Sequence, residues 1–275
     1  MTPLSSSNML LSIPFPISLT LFVFGTIIGS FLNVCIVRLP KGESLIQPPS
    51  HCPGCRTPIP FYDNVPLLSF LWLRGRCRFC KNRISLRYFL VELLTGILSV
   101  ALAHRFGLGM TFISGLVFGA GLIVITFIDL HVKIVPDVIS LPGIGFGFLA
   151  AIINGLLIKD SPSFLPSPGS SLVGILLGGG ILLLVAWGYE RAMKTEGMGG
   201  GDIKLLAMIG AFLGWPSIPV VLFVASFTGS ILGLILILTK KATGKLALPF
   251  APFLCGGALV HLFYGDQLIS IYFRF

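Results

Sequence analysis

Residues 110–129 read MTFISGLVFGAGLIVITFID, an uncharged apolar run that ends in an aspartate. A helix needs about 20 apolar residues to cross the hydrocarbon core of a bilayer, and this segment supplies them. An ionisable side chain at the end of such a run is energetically costly, so its presence points to a function. We therefore interpret the segment as a membrane span and Asp129 as a candidate functional residue.

Apolar runs lie on both sides of this segment. The 275 residues are 55% hydrophobic and only 11% charged, whereas soluble proteins average roughly 25% charged residues. This composition excludes an ordinary cytosolic enzyme, a disordered chain and a secreted disulfide scaffold. We predict an all-α polytopic membrane protein with about eight transmembrane helices, the weakest at 203–215 because it is short. The other seven lie at about 17–37, 88–105, 110–129, 138–158, 171–190, 217–238 and 247–265.

The positive charges are concentrated between the first two predicted spans. The net charge is +9, and residues 38–87 hold nine of the nineteen Lys and Arg but only two acids, Glu43 and Asp63. By the positive-inside rule this loop is cytoplasmic, and alternation of the spans then puts sixteen of the nineteen basic residues on the cytoplasmic side. The predicted membrane topology thus accounts for the net charge of +9. We expect membrane lipids as partners and no nucleic acid.

Four of the six cysteines lie in this loop as two C-x2-C pairs, 21 residues apart: Cys52 and Cys55, then Cys77 and Cys80. Two such pairs can present four thiolates tetrahedrally, as in a structural zinc site. A cytoplasmic loop lies in a reducing compartment, which disfavours stable disulfides. A redox role for the pairs stays open, although the sequence around them lacks a βαβ pattern. A short polar loop builds little core, so a bound metal would stabilise it.

A second aspartate follows a glycine-rich turn, in the segment 197–202 (GMGGGD). Structural roles stay open for the acids: Asp129 could pair with Lys133 at the membrane interface, and Asp202 could cap a helix. For Asp137, which follows a proline, a helix N-terminal role is favoured over catalysis.

The predicted topology places Asp129 and Asp202 at the cytoplasmic ends of spans, so their carboxylates can meet. Two close carboxylates do not both ionise easily, and one keeps its proton. That asymmetry suits peptide hydrolysis, in which the ionised group takes a proton from water and the protonated group polarises the scissile carbonyl.

Several motifs resemble those of the type IV prepilin peptidases, a family of GxGD aspartic membrane proteases. The resemblance extends over about 20–260 and lies in five places: 197–207 (GMGGGDIKLLA), 29–34 (GSFLNV) with 38–40 (RLP), the cysteine loop at 50–92, Ile128-Asp129 and Pro136-Asp137. Two positions depart from the family pattern, because His131 stands where many members have an acid and Phe89 where many have a proline.

The resemblance implies a multi-pass protein of the bacterial inner membrane with its active site facing the cytoplasm. Such an enzyme cleaves the basic leader peptide from type IV prepilins and pilin-like secretion subunits (pseudopilins), then N-methylates the new N-terminal residue with S-adenosyl-L-methionine. By position, it implies that Asp129 and Asp202 are catalytic and that Cys52, Cys55, Cys77 and Cys80 bind zinc. No motif for the methyl donor is readable.

Three alternatives stay open. The enzyme could cleave without methylating, or the protein could be a membrane carrier whose intramembrane aspartates couple to an ion. It could also be a zinc-dependent binding module tethered to the membrane, which would leave the GxGD segment without a role. A carrier would leave the four cysteines unexplained. For the prepilin peptidase interpretation we predict three parts: an N-terminal segment with the first span at 1–37, a cytoplasmic zinc-binding domain at 38–87, and a transmembrane protease core at 88–275.

Overall fold

A computed structural model of the chain describes residues 13–158, 163–194, 199–239 and 248–272, and within these ranges the regular structure is helical, without β-strands. The described α-helices are α1 (Phe15–Arg38), α2 (Leu68–Trp72), α3 (Leu86–Phe106), α4 (Met110–Val132), α5 (Asp137–Ile153), α6 (Pro168–Met193), α7 (Gly200–Leu213), α8 (Ser217–Leu238) and α9 (Ala251–Tyr272). Short 3-10 turns occupy Leu39–Lys41 and Phe61–Asp63, and a π-helical turn, Asn154–Ile158, follows α5.

The prediction of an all-α membrane protein is confirmed. Six helical segments are long and apolar enough to cross a membrane: Phe15–Lys41, Leu86–Phe106, Met110–Val132, Asp137–Ile158, Pro168–Met193 and Ser217–Leu238. The described ranges also contain α7 and α9 where the sixth and eighth spans were predicted, but neither is among these six. The protein is therefore multi-pass, and the count of eight spans stays a prediction.

Some of the sequence predictions fall outside the described residues. These are the start of the connection at 159–162, the first two residues of the GMGGGD segment, Gly197 and Met198, and the basic residues Lys240, Lys241 and Lys245.

Contacts divide the chain into two compact units. The first unit is Met1–Leu108 with Gly115–Val124, and the second is Gly109–Ser114 with Ile125–Phe275. Helix α4 contributes to both units, and its last turn, which carries Asp129, belongs to the second.

Small residues hold the first unit together by letting α1 approach α3 closely. A Cβ atom on Gly25 would lie 2.7 Å from the carbonyl oxygen of Thr95, and one on Gly29 would lie 2.7 Å from the Cα atom of Glu92. Small residues serve this purpose in membrane helices generally. Asn33 adds a polar link by donating its amide to the carbonyl of Tyr88 at 3.0 Å.

The second unit is built around α7, whose residues from Leu205 to Leu213 are all buried. Helices α5, α6, α8 and α9 pack against it. Gly174 of α6 and Gly210 of α7 meet backbone to backbone, so neither position has room for a Cβ atom. At a rise of about 1.5 Å per residue, α7 is about 21 Å long, shorter than the roughly 30 Å core of a bilayer. Its neighbours compensate by enclosing it.

Candidate active site and metal centre

Asp129 is buried in the last turn of α4, where the residue is only 5% exposed. The backbone N–H of Ala251, the first residue of α9, donates a hydrogen bond to the carboxylate. The other oxygen, Oδ2, has no hydrogen-bond partner among the described residues. Burying a polar atom without a partner costs free energy, and native proteins rarely do so without a functional reason.

Asp202 lies in the first turn of α7 and is partly exposed. The start of α7 is held against the α4–α5 connection, because Gly201 leaves room there for only a hydrogen atom: a Cβ atom would lie 2.8 Å from Cβ of Val135. The Asp202 carboxylate interacts electrostatically with that of Asp129. The structure thus brings the two acids together, although 72 positions separate them in the sequence.

The structure also bears on two structural roles for these acids: capping of a helix by Asp202 and pairing of Asp129 with Lys133. The residue that caps α7 is Gly199, without a side-chain hydrogen bond from the described residues. Asp202 lies three residues further on and is therefore not the cap. Lys133 ends α4 in a left-handed conformation, donates its backbone N–H to the carbonyl of Asp129 at 2.9 Å, and also interacts with the Asp129 carboxylate through its charge.

Asp137 is the first residue of α5, as predicted, but the cap position belongs to Pro136. Its carboxylate instead pairs with Lys204, whose Nζ lies 2.7 Å from both oxygens. Since Lys204 follows Asp202 by two residues, the ion pair ties the start of α5 to the turn of α7 that carries Asp202. The sequence alone does not predict this pair, because it shows only two opposite charges, each near a candidate catalytic acid.

Cys255 is a second residue that the sequence analysis did not connect with the site. Its buried thiol, in α9, interacts electrostatically with both Asp129 and Asp202. No local motif surrounds Cys255, so the sequence alone does not connect it with the acids. The surroundings of the acids therefore include the N-terminal part of α9 as well as α4 and α7.

The four loop cysteines form a compact cluster in the first unit. Their Sγ atoms all lie within 4.8 Å of one another, with Cys52 and Cys80 at 3.7 Å and Cys55 and Cys77 at 4.0 Å. A tetrahedral site with Zn–S bonds of about 2.3 Å separates its sulfurs by about 3.8 Å. The spacing is far longer than a disulfide bond of about 2.05 Å, and all four thiols are free. The cluster can hold a metal ion.

The local backbone explains why the cysteines converge. In each pair the first cysteine accepts a hydrogen bond at its carbonyl from the residue four positions later, Arg56 or Lys81, and that residue has a positive φ. The chain then turns back, so that Cys52 donates its N–H to Thr57 and Cys77 donates to Asn82. The two pairs are therefore equivalent turns that present their sulfurs to a common centre.

Electrostatics at the cluster also favour a cation. Hydrogen bonds from Thr57 lower the pKa of Cys55 to about 6, which favours its thiolate. A backbone hydrogen bond from Asn82 acts in the same direction on Cys80, yet desolvation and the three neighbouring thiols together raise the pKa of Cys80 to about 11. Four crowded thiols do not all ionise without a positive charge between them. A divalent metal ion supplies that charge.

Comparison with known proteins gives matches along most of the chain. Residues 23–106 match the Bacterial Peptidase A24 N-terminal domain, and residues 116–234 match the Type IV leader peptidase family. A protein of Aeromonas hydrophila named Prepilin leader peptidase/N-methyltransferase is 38% identical over 91% of this chain and 92% of its own length. Proteins of the same name are 35% identical in Stutzerimonas stutzeri, covering 100% of this chain and 99% of the relative, and 35% identical in Neisseria gonorrhoeae, covering 82% and 84%. No solved structure matches.

Proposed function

The chain belongs to the type IV leader peptidase family, and we propose that it is an aspartic endopeptidase that removes the basic leader peptide from type IV prepilins and pseudopilins. The observation that carries the proposal is the electrostatic interaction between the carboxylates of Asp129, in the last turn of α4, and Asp202, in the first turn of α7. The relatives support it by name, since each is a prepilin leader peptidase/N-methyltransferase.

In this proposal the two carboxylates divide the work of peptide hydrolysis. One is ionised and takes a proton from a water molecule as the water oxygen attacks the scissile carbonyl. The other is protonated and donates to the carbonyl oxygen, so that no free oxyanion develops. When the tetrahedral intermediate collapses, the proton taken from water passes to the leaving amine. Oδ2 of Asp129, which has no partner among the described residues, has the hydrogen-bonding capacity that such a substrate requires.

The second proposed activity is N-methylation of the residue exposed by cleavage. S-adenosyl-L-methionine supplies an electrophilic methyl group, which the lone pair of the new N-terminal amine displaces from sulfur, with loss of a proton from the amine. The names of the relatives, which pair leader peptidase with N-methyltransferase, support this assignment.

For the metal, we propose zinc held by Cys52, Cys55, Cys77 and Cys80. Four thiolates leave no open coordination position, so the ion is structural and takes no part in either reaction. Its role is to fix the loop within the proposed domain at 38–87, where residues 39–85 include only α2 and two short 3-10 turns as regular helix.

We further propose that the protein lies in the bacterial inner membrane with the acids and the cysteine loop facing the cytoplasm. The basic residues of 38–87 support this orientation through the positive-inside rule. A basic leader gains no attraction from a basic loop. Anionic lipid headgroups near the membrane surface can instead recruit the leader.

The proposal is tested by incubating the purified protein in lipid nanodiscs with a synthetic prepilin peptide and labelled S-adenosyl-L-methionine, then analysing the products by mass spectrometry. We expect a shortened peptide whose new N-terminus carries one added methyl group. A shortened but unmethylated product would support a cleavage-only enzyme. An intact peptide would contradict the proposed function and favour a carrier.

A further inference from the structure

A groove of about 990 Å³ lies in the first unit, lined by the end of α1, the start of α3 and the cysteine loop. Small-molecule sites in proteins commonly enclose about 300–1,000 Å³. Neither Asp129 nor Asp202 lines this groove, because all of its lining residues fall between Ile27 and Glu92.

Two residues that line the groove each carry a buried polar atom without a hydrogen-bond partner in the described ranges. The first is Oδ1 of Asn33, a residue only 2% exposed whose other amide atom is held by the carbonyl of Tyr88. The second is Nε of Arg87, one residue before Tyr88. Buried polar groups in native proteins are nearly always paired. An acceptor and a donor without a partner among the described residues, both on residues that line the groove, indicate a ligand that offers both a donor and an acceptor.

The groove also contains a carboxylate that the proposed proteolysis does not use. Glu92 is 9% exposed and lines the groove, where it accepts hydrogen bonds from the backbone N–H of Leu67 at 2.8 Å and from the hydroxyl of Ser30. The neighbouring acid, Asp63, is already neutralised by Arg78, which donates two hydrogen bonds to it at 2.7 and 2.5 Å. The carboxyl group of Glu92 thus supplies hydrogen-bonding oxygen atoms at the groove.

Aromatic rings contribute to the apolar part of the lining, together with aliphatic side chains such as Ile59 and Leu73. Phe31, Phe70, Phe79 and Tyr88 all contribute to it. Such rings suit a flat heterocycle, because stacking on an aromatic face is favourable for any base.

We propose that this groove binds S-adenosyl-L-methionine, an inference that rests on the proposed methylation. The residues present fit the molecule. Arg87 would hold its carboxylate, Asn33 would accept from its ammonium group, and Glu92 would accept from a ribose hydroxyl. The aromatic rings would accommodate the adenine.

The metal centre supports the groove, since Cys52 and Cys77 also line it. Loss of the metal from these turns would remove one wall. We therefore expect binding of S-adenosyl-L-methionine to require the bound metal as well as Asn33 and Arg87, even though the metal takes no part in the chemistry.

The test is a direct binding measurement on the full-length protein in lipid nanodiscs, by equilibrium dialysis of tritiated S-adenosyl-L-methionine with S-adenosylhomocysteine as competitor. Asn33→Leu and Arg87→Met each remove one partnerless atom and keep much of the side-chain volume. We expect each to weaken binding by about tenfold or more, as for loss of a hydrogen bond to a charged group. Ile46→Thr, at an exposed position in the same loop that does not line the groove, should bind as the wild type does.

Leader cleavage and metal content, measured on the same samples, separate the outcomes. Retained cleavage and metal content with weakened binding supports the groove as the methyl-donor site. If Arg87→Met fails to fold, Arg87→Lys, which lacks Nε, takes its place. Unchanged binding by folded variants overturns the inference and leaves the methyltransferase proposal intact. Loss of cleavage with unchanged binding shows instead that the groove takes the peptide. No binding by the wild-type protein contradicts the proposed methylation itself.

Discussion

Gly201 offers a sharp test of how the chain positions Asp202. A Cβ atom at this position would lie 2.8 Å from Cβ of Val135 and 3.3 Å from its Cγ2, whereas carbon atoms in contact prefer about 3.5–4.0 Å. Gly201→Ala therefore forces the start of α7 and the α4–α5 connection apart by several tenths of an ångström. Gly200→Ala is the matched control, because no described atom lies within 4 Å of the Cβ built there.

The expected cost follows from the size of this overlap. Overpacking a buried site costs about 1–3 kcal/mol of folding free energy, and a misplacement of about 1 Å can reduce a reaction rate about 100-fold. We expect Gly201→Ala to lower kcat/KM for leader cleavage by about 10- to 100-fold. Gly200→Ala should retain wild-type activity without destabilising α7, because alanine is a better helix former than glycine.

The assay is the initial rate of cleavage of a prepilin peptide in nanodiscs, with thermal unfolding measured on the same samples. A second substitution, Val135→Gly, removes the atoms with which the new methyl group collides. In the Gly201→Ala background it should recover part of the lost activity, and the double-mutant cycle measures this coupling. Equal rates for the two alanine variants would refute the idea that close contact at Gly201 positions Asp202.

Three further predictions concern other parts of the fold. Metal analysis should find about one zinc ion per wild-type chain and a loss of zinc in Cys52→Ser; an unchanged content would favour a redox role for the cysteines. The ion pair between Asp137 and Lys204 is substantially exposed, so Asp137→Asn should change stability by no more than about 1 kcal/mol, while leader cleavage slows severalfold. A double variant, Lys204→Met with Asp137→Asn, should cleave no more slowly than either single variant. Additive losses of rate would contradict the idea that the two residues act as one pair. Gly210→Ala should destabilise the protein by about 1–3 kcal/mol in thermal unfolding, because its new methyl group meets the backbone of α6, whereas Gly180→Ala, with open space in the described structure, should not.

The membrane fold could be read from the sequence because it depends on local composition. Uncharged runs such as 110–129 need no tertiary information to be recognised. The boundaries were less certain at α7, which we predicted to start near residue 203 and which starts at Gly200. Glycines are poor helix formers in isolation, and only packing in the folded protein makes the first turn helical there. Asp202 consequently lies inside the helix, not ahead of it.

The candidate site could be predicted only in part, because some of its contacts depend on tertiary packing and not on local sequence. The cysteine cluster was predicted correctly because its geometry follows from two local turns with a regular spacing. The approach of Asp129 and Asp202 was inferred from topology rather than from any local pattern. The contact of Lys204 with Asp137 and the position of Cys255 near both acids depend on tertiary packing between separate helices. No pattern in a single sequence records such contacts.

The central claim is that Asp129 and Asp202 act together in peptide hydrolysis. The most direct measurement is the rate of leader cleavage, followed by mass spectrometry, for Asp129→Asn and Asp202→Asn in nanodiscs. An amide can neither accept the proton from water nor donate an acidic one. We predict that each variant inserts, binds its metal and unfolds as the wild type does, yet shows no detectable cleavage. Cleavage by either variant at a rate within a few-fold of the wild type would contradict the two-aspartate mechanism.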